Sequence, residues 1–478
     1  MRTRVPKNSS RRPFRTWFGI ANLALYYHVF FVLSTIFWRF FKKFRENSPS
    51  YGKKITLLLL YNITKFAREG KMVEVREVKT RQQINEFLNF ALKMYKGNLY
   101  FVPPMYASEK KLFKGNHDYC DQAESVFYVA YRDGEPVGRI SGILQRASNE
   151  KWNQQRVRFT RFDCIDDQEV ATALFCAVED WAKSKGMCEV VGPLGYSDME
   201  REGLLVDGFD QLNTYEEQYN FPYYEKLIKG HGFEQEIEWV EYRLTAPTPE
   251  YTEKMKRISD KAMERGGFHF GEAKNTKDFL KRYADDFFDV IDKTYSPLYA
   301  TVPFTENMKK SIMKDFALII DLRYVFVILD KNERPACFGL CFPGFGKALQ
   351  KSSGKLTPSA IVKVLRAVKK PDSIDLGLIG ILPEYRNTGI SHAMLYKLAQ
   401  ALSGGTVKYA ETNLMLTNNY NILNQWKNFN PVLHKRRRTY CKRIDGAENA
   451  ETPLPASVAQ EAVKAIIGEL EESAIAAE

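Results

Sequence analysis

From residue 72 onward, apolar residues recur with two periods, every second position or every third to fourth, and each stretch predicts an element. Val73–Val78 reads as a strand. Gln83–Tyr95 reads as a helix with Ile84, Phe87, Leu88, Ala91 and Leu92 inward. Phe127–Tyr131 and Val137–Leu144 flank Arg132-Asp133-Gly134-Glu135-Pro136, which predicts a hairpin. Val157–Phe162 is a further strand. Asp166 and Asp167 then stand where a helix is capped, and Val170, Leu174, Val178 and Trp181 share one face before Gly186 stops it. Glu189–Val191 is a strand, followed by a loop rich in glycine and acids from Gly192 to Asp210.

The same order returns about 200 residues later. A helix is expected over Asp278–Ile291. The strands Tyr324–Leu329 and Ala336–Phe342 flank a turn that ends in Pro335. Next come a strand at Ile374–Leu382, a helix from Ile390, a strand at Val407–Glu411, a short helix at Tyr420–Asn428 and a last strand at Val432–Cys441. This predicts two tandem α/β (α+β) units with mixed sheets, 72–245 and 246–445, joined through Ala246–Gly267. Residues 446–478 hold seven glutamates and one lysine and read as an acidic tail.

Before residue 72 the pattern differs. Trp17 to Trp38 is an apolar run followed by Arg39, Lys42, Lys43 and Arg45, the length and flanks of a membrane anchor. A second reading starts translation at Met72. It is supported by the strand that begins at Val73, by an abrupt change of charge, and by Arg68-Glu69-Gly70, which purine-rich codons resembling a ribosome-binding site can encode. On either reading, residues 1–71 are expected to pack little against the rest. The expected location is cytoplasmic, or membrane-anchored through Trp17–Trp38 if residues 1–71 are made; a membrane partner enters only in that case.

Net charge is +12, yet residues 1–71 carry 15 Lys and Arg against two acids, so the remainder is close to neutral. No nucleic-acid partner is expected. Seven cysteines without a CxxC pair predict free thiols in a reducing compartment, and six scattered histidines without HExxH give no metal site. Gly354-Lys355 lacks the glycine and hydroxyl positions of a P-loop. The run Lys435–Arg438 alternates across its strand and reads as a solvated face.

The stretch with chemistry is 373–402. An apolar strand ends at Pro383, the turn Glu384-Tyr385-Arg386-Asn387-Thr388-Gly389 follows, and Ile390, Ala393, Met394, Leu395, Leu398 and Leu402 mark a helix. The first turn of a helix offers free N–H groups and a positive dipole end, and Arg386 adds a charge; a pyrophosphate fits such a place. Arg386-x-x-Gly389-x-Ser391 resembles the Q/R-x-x-G-x-G/A loop of the GNAT acetyltransferase superfamily, with Ser391 departing from Gly or Ala. The element order resembles a GNAT domain in both halves, and the loop from Gly192-Pro193 through Gly208-Phe209 resembles a segment of bacterial tandem-GNAT proteins.

That resemblance implies an acyl-CoA-dependent N-acyltransferase, acetyl-CoA or another acyl-CoA as co-substrate, no metal, and a small-molecule or peptide amine as acceptor. The alternative is an acyl-CoA-binding sensor or scaffold without turnover. Ile379, Gly380, Ile381 and Leu382 would bind the pantetheine arm, and Arg386, Asn387, Thr388, Gly389, Ile390 and Ser391 the pyrophosphate. Glu411 is the first choice of base, with pairing to Lys435, Arg436, Arg437 or Arg438 as its structural alternative; Asp375 is the second. Asn419 would reach CoA. Trp426 stands where the family has a tyrosine acid. The first half has Asp166 and Asp167 at the matching junction, which repel phosphate, so it is expected to be a degenerate GNAT-like unit without CoA. Its loop 192–210 is expected to line the acceptor site or to serve as a connector.

Overall fold

The computed structural model describes residues 72–444. Trp17–Trp38 and the acidic stretch 446–478 lie outside the described residues. Among the described residues no helix is long and apolar enough to cross a membrane.

The first half runs β1 (Glu74–Glu77), α1 (Arg81–Met94), α2 (Tyr106–Lys111), β2 (Ala123–Arg132), β3 (Glu135–Gln145), α3 (Arg146–Trp152), β4 (Arg156–Cys164), α4 (Gln168–Ser184), β5 (Glu189–Gly192), β6 (Leu204–Asp207), α5 (Tyr224–Gly230) and β7 (Glu234–Leu244). A helix, α6 (Pro249–Gly266), follows. The second half runs β8 (His269–Phe270), α7 (Thr276–Tyr295), α8 (Glu306–Ile319), β9 (Val325–Leu329), β10 (Pro335–Pro343), α9 (Gly346–Gln350), α10 (Pro358–Lys369), β11 (Ser373–Ile381), α11 (Ile390–Ser403), β12 (Tyr409–Thr412), β13 (Met415–Leu416), α12 (Tyr420–Gln425) and β14 (Val432–Arg443). The two series match element by element, the second having two helices between β10 and β11 where the first has one. The segment Ala246–Gly267, expected as a join, is mostly α6, which packs against α11.

Most long helices start at a residue whose side chain accepts from the first turn: Thr80, Asp167, Thr248, Asn275, Thr305 and Thr357. α11 is the exception, because Gly389 stands at its N-cap.

The strands form one mixed sheet in the order β1-β2-β3-β4-β5-β14-β7-β12-β11-β10-β9-β8. The centre is where the halves meet, and their last strands are exchanged there. β14, the end of the second half, lies antiparallel to β5 of the first, with Tyr440 opposite Gly192. β7, the end of the first half, lies antiparallel to β12 of the second, with Glu411 opposite Arg243. β7 and β14 pair with each other from Val432–Arg243 to Cys441–Glu234. Each half therefore completes its sheet with the other's chain.

A buried ion cluster fastens this exchange. Lys435 Nζ on β14 lies 2.8 Å from Glu217, 3.1 Å from Glu241 and 3.1 Å from Glu411. Arg437 Nε lies 2.6 Å from Glu241. Lys435 and Arg437 are fully buried, so the run 435–438, expected to be a solvated face, is solvated on one side only. Arg436 and Arg438, the outward pair, bind Glu238.

Candidate active site

The parallel pair β11–β12 is in register only from Ser373–Tyr409 to Leu376–Thr412. Beyond that the strands part. β11 carries a bulge there: Leu340 faces Leu378 while Cys341 faces Leu376, so Gly377 is the extra residue. A Cβ at Gly377 would come within 2.6 Å of the Phe342 ring, so the bulge needs glycine. The gap is a cleft of about 130 Å³, walled mainly by apolar side chains that include Ile379, Leu395, Leu398 and Trp426.

The end of β11 leads into the α11 cradle. Among the described residues, the backbone N–H groups of Asn387, Thr388, Gly389, Ile390 and Ser391 donate to no backbone or side-chain acceptor, and Arg386, exposed beside them, makes no ion pair. On the same first turn, His392 Nδ1 is buried with no partner among the described residues. Free donors, a helix dipole and a guanidinium fit a pyrophosphate. Gly389 has φ 89°, and a Cβ on it would meet Ala262 of α6 at 3.1 Å. The glycine is thus required by the turn and by helix packing.

A second cavity, of about 260 Å³, is built from both halves and is polar on one side. Its carboxylates fall into two groups. Glu109 and Glu200 are paired with Arg161 at 2.8 and 3.6 Å, Asp163 with Arg139 at 2.7 Å, and Asp118 with Lys111. Asp198, Glu202, Glu216 and Asp315 have no cationic partner among the described residues. Burial pushes Asp198 up to about 6. Burial, then the neighbouring Glu217, pushes Glu216 up to about 7. Burial and then Asp198 hold Glu202 well above the usual carboxylate range. Unpaired carboxyls raised in this way are what a cationic guest would relieve. Apolar side chains also line it: Met308, Ile312, Phe316 and Ile319 of α8, which carries Asp315 as well, with Phe342.

The two cavities touch. Leu378, Asn413 and Leu414 line both. Asn413 Nδ2 donates to Glu216 Oε2 at 3.4 Å, placing that carboxyl at the junction. A third cavity, of about 380 Å³, adjoins through Asp198 and Tyr295. The Tyr295 hydroxyl accepts from the Ile379 N–H at 3.1 Å and so keeps its own proton to donate. Burial pushes this phenol up to about 12.

In the first half, Phe159, Phe162, Phe175 and Tyr224 are fully buried and pack together beside β4. The start of α4 is closed by Asp167, which accepts from the Glu169 and Val170 N–H groups and is held by Arg132 at 2.7 Å.

The remaining residues singled out in the sequence fall as follows. Glu411 is buried, bound to Lys435 at 3.1 Å and to Arg243 at 3.2 Å, and lines none of these three cavities. That is the paired strand carboxylate of the structural alternative. Asp375 faces Glu411 across β11–β12. Burial and then Glu411 raise it well above the usual range, and it too lines none of the three. Asn419 accepts from the Ile422 N–H and caps α12. Trp426 lines the apolar cleft, its Nε1 donating to Met415 Sδ at 3.1 Å. Ile379 lines the cleft, whereas Gly380, Ile381 and Leu382 do not. The loop at 192–210 supplies Asp198 and Glu202 to the acid-lined cavity. Glu216 and Tyr295 carry no motif; only their place in the fold reveals them. All seven cysteines are free. Cys176, Glu179 and His231 lie close together, but Glu179 is already bound by Lys442 at 2.8 Å and His231 at 2.9 Å.

No protein-family model matches the chain. Protein YghO of Escherichia coli (strain K12) is 22% identical over 381 residues, covering 77% of this chain and 95% of its own. The bacterial ceramide synthase of Caulobacter vibrioides is 24% identical over 389 residues, covering 78% of this chain and 98% of its own. Among solved structures, a tandem GNAT protein from the clavulanic acid biosynthesis pathway covers 79% of this chain and 100% of its own, at TM-score 0.45 and 9% identity. A GCN5-related N-acetyltransferase from Sphaerobacter thermophilus covers 80% and 98%, at TM-score 0.41 and 10% identity. The fold is a double, GNAT-like α/β arrangement, as the repeated element order and the split parallel pair define it.

Proposed function

We propose that this protein is an acyl-CoA-dependent N-acyltransferase with a single acyl-CoA site, in the second half, and that the first half is a partner that helps to hold the acceptor. The observation that carries this reading is that an apolar cleft next to an anion cradle and an acid-lined cavity meet at Leu378, Asn413 and Leu414. A thioester and an amine brought to one point need little more than positioning and a place for one proton. The α11 cradle and Arg386 hold the pyrophosphate, and the apolar cleft takes the acyl-pantetheine. The ammonium of the acceptor is drawn by the unpaired carboxyls. Glu216 removes one proton from it, the amine nitrogen attacks the thioester carbon, the C–S bond breaks, and the second proton lost by the nitrogen passes to the departing sulfur, leaving an amide and a thiol. The Tyr295 hydroxyl, oriented by the Ile379 N–H and left with its own proton, steadies the carbonyl oxygen.

The Caulobacter relative's name gives the finer reading. A ceramide is the amide of a fatty acid with a long-chain amine, so the acceptor here is a long-chain amine and the donor a fatty acyl-CoA. The apolar side chains of α8 beside the carboxyls suit such an amphiphile. Thiol release should be measured with acetyl-CoA and with palmitoyl-CoA against short-chain and long-chain amines. Release that requires a long-chain amine is expected. Acyl-CoA binding without release under any of these pairings would leave a binding protein without turnover.

Arg386→Ala is expected to weaken CoA binding by about 1.5–3 kcal/mol, the worth of one hydrogen-bonded charged contact. Titration calorimetry showing unchanged affinity would remove the cradle from the site.

A further inference from the structure

Residues 344–371 connect β10 to β11 and contain seven basic residues and no acid: Lys347, Lys351, Lys355, Lys363, Arg366, Lys369 and Lys370. All seven are exposed, and among the described residues none makes an ion pair. Lys355 alone has a described side-chain contact, over the Tyr106 ring. Other cations of this body, such as Arg132, Arg156 and Arg438, have acids beside them, whereas this segment contains none. Since the chain from residue 72 on is close to neutral, this segment is a local concentration of positive charge.

The helix within it has two faces. Ala360 and Val364 are buried, with Ala367 and Val368 packed on the same core, so α10 is fixed to the body. The outward face carries Lys363, Arg366 and Lys369 and, among them, Val362 and Leu365, which are 46% and 47% exposed. Charge alone suits any polyanion. Large apolar side chains held out within a basic helix face suit a lipid interface, which solvates both kinds of group at one depth.

The segment also touches both cavities. The Phe345 ring lies 5.1 Å from that of Tyr215, in the acid-lined cavity. Arg323, in the wall of the apolar cleft, donates to the Val368 and Lys369 carbonyls of the last turn of α10 at 3.2 and 2.9 Å. Gln350 holds the Leu99 carbonyl at 2.9 Å, beside a leucine side chain that is 73% exposed. The equivalent link in the first half is α3, with no such basic run.

The geometry points to residues 344–371 as a docking platform for the surface of an anionic lipid bilayer, with Val362 and Leu365 entering the interface and the seven cations facing the head groups. Both substrate cavities would then adjoin the membrane, the source of any long-chain substrate.

The test uses the full chain with vesicles containing phosphatidylglycerol or made of phosphatidylcholine alone. Peptide-resolved hydrogen exchange reports on 344–371 separately from 1–71. Protection confined to the anionic vesicles and relieved by salt is expected. Lys363→Glu with Arg366→Glu should weaken vesicle partition about 25-fold or more, at about fivefold per cation lost. Val362→Ser with Leu365→Ser should weaken it while leaving the salt dependence unchanged. These side chains are exposed, so circular dichroism of the variants should match the parent. No protection in 344–371, equal protection by neutral vesicles, or protection by duplex DNA or polyglutamate at the same salt equal to that by anionic vesicles would overturn the proposal. The readout does not involve turnover, so its failure and that of the acyl-transfer reading are separately visible.

Discussion

Replacing Glu216 with glutamine is expected to lower kcat about 10²–10⁴-fold while leaving acyl-CoA affinity unchanged, the usual worth of a positioned general base. Glutamine keeps the size of the side chain and an oxygen for Asn413, so what is lost is the ability to take a proton. Glu216 acts as a base only when ionised, so kcat/KM of the parent should rise with pH through about 7 and level off above. The variant should lose that limb. If the limb persists and instead disappears in Asp198→Asn, with its midpoint near 6, Asp198 is the base.

A stability measurement separates this role from a structural one. The folded Glu216 holds its proton to about pH 7, whereas the usual value is 4.5. Unfolding therefore releases a proton between those values, and the carboxyl's contribution to stability falls as pH rises through that window. Glutamine has no proton to lose. Glu216→Gln should equal or exceed the parent in stability at neutral pH while being far less active, the trade expected of a group kept for chemistry. Loss of both stability and activity would make Glu216 a packing residue.

Lys435→Met should destabilise the protein by about 3–5 kcal/mol, the largest stability effect expected of a single substitution here. Burial alone would lower the Lys435 pKa, but Glu217, Glu241 and Glu411 outweigh it and hold the ammonium charged. Arg437 supplies the second charge. Burial, with Glu217 beside it, pushes Glu241 up to about 8, so this carboxyl stays protonated at neutral pH and hydrogen-bonds to Glu217. Arg243 adds a third cation, 3.2 Å from Glu411. Methionine removes the ammonium that touches both Glu217 and Glu411 in a place water does not reach, and removing one partner of a buried ion pair is costly for that reason. Because these groups join β14 to β7 and β12, the loss should appear as one cooperative unfolding transition at lower denaturant. A change under 1 kcal/mol would show that the exchanged strands are held by backbone pairing and apolar packing alone. The same cluster gives an alkaline weakness. The folded Glu241 keeps its proton to about 8 against a usual 4.5, so its contribution to stability declines as pH rises between those values.

Much of the fold could be read along the chain, because it depends on local repeats. Both hairpins, the helix Gln168–Ser184 with its cap at Asp167, and the strand–turn–helix at 373–402 follow from apolar spacing and from the residues that open and close each element. The repeat of that order argued for two related halves. The contrast between Asp166-Asp167 and Arg386-x-x-Gly389 separated the half whose helix start is filled from the half whose helix start is free. Such signals are local because a helix start needs only its own first turn to accept or exclude an anion. The segment 246–267 was read too loosely: Thr248-Pro249 is a good helix opening, and α6 follows it.

Tertiary structure decided what depends on neighbours. Alternation in a strand says which side chains share a face, not which strand lies alongside. Lys435-Arg436-Arg437-Arg438 gave the right alternation, yet only the exchange of β7 and β14 makes one of its faces interior, by bringing up Glu217, Glu241 and Glu411 from three separate stretches. The same exchange pairs Glu411 with Lys435 and Arg243. Glu216 and Tyr295 stand in no motif and become chemical groups only where two cavities meet beside them. The sequence by itself determined the elements, their repeat and the helix start left open at Gly389, because these rest on spacing within about one turn or one hairpin. The strand order, the buried charges and the meeting of the apolar cleft with the acid-lined cavity were decided by contacts between residues far apart in the chain, whose energies exist only once the sheet has closed.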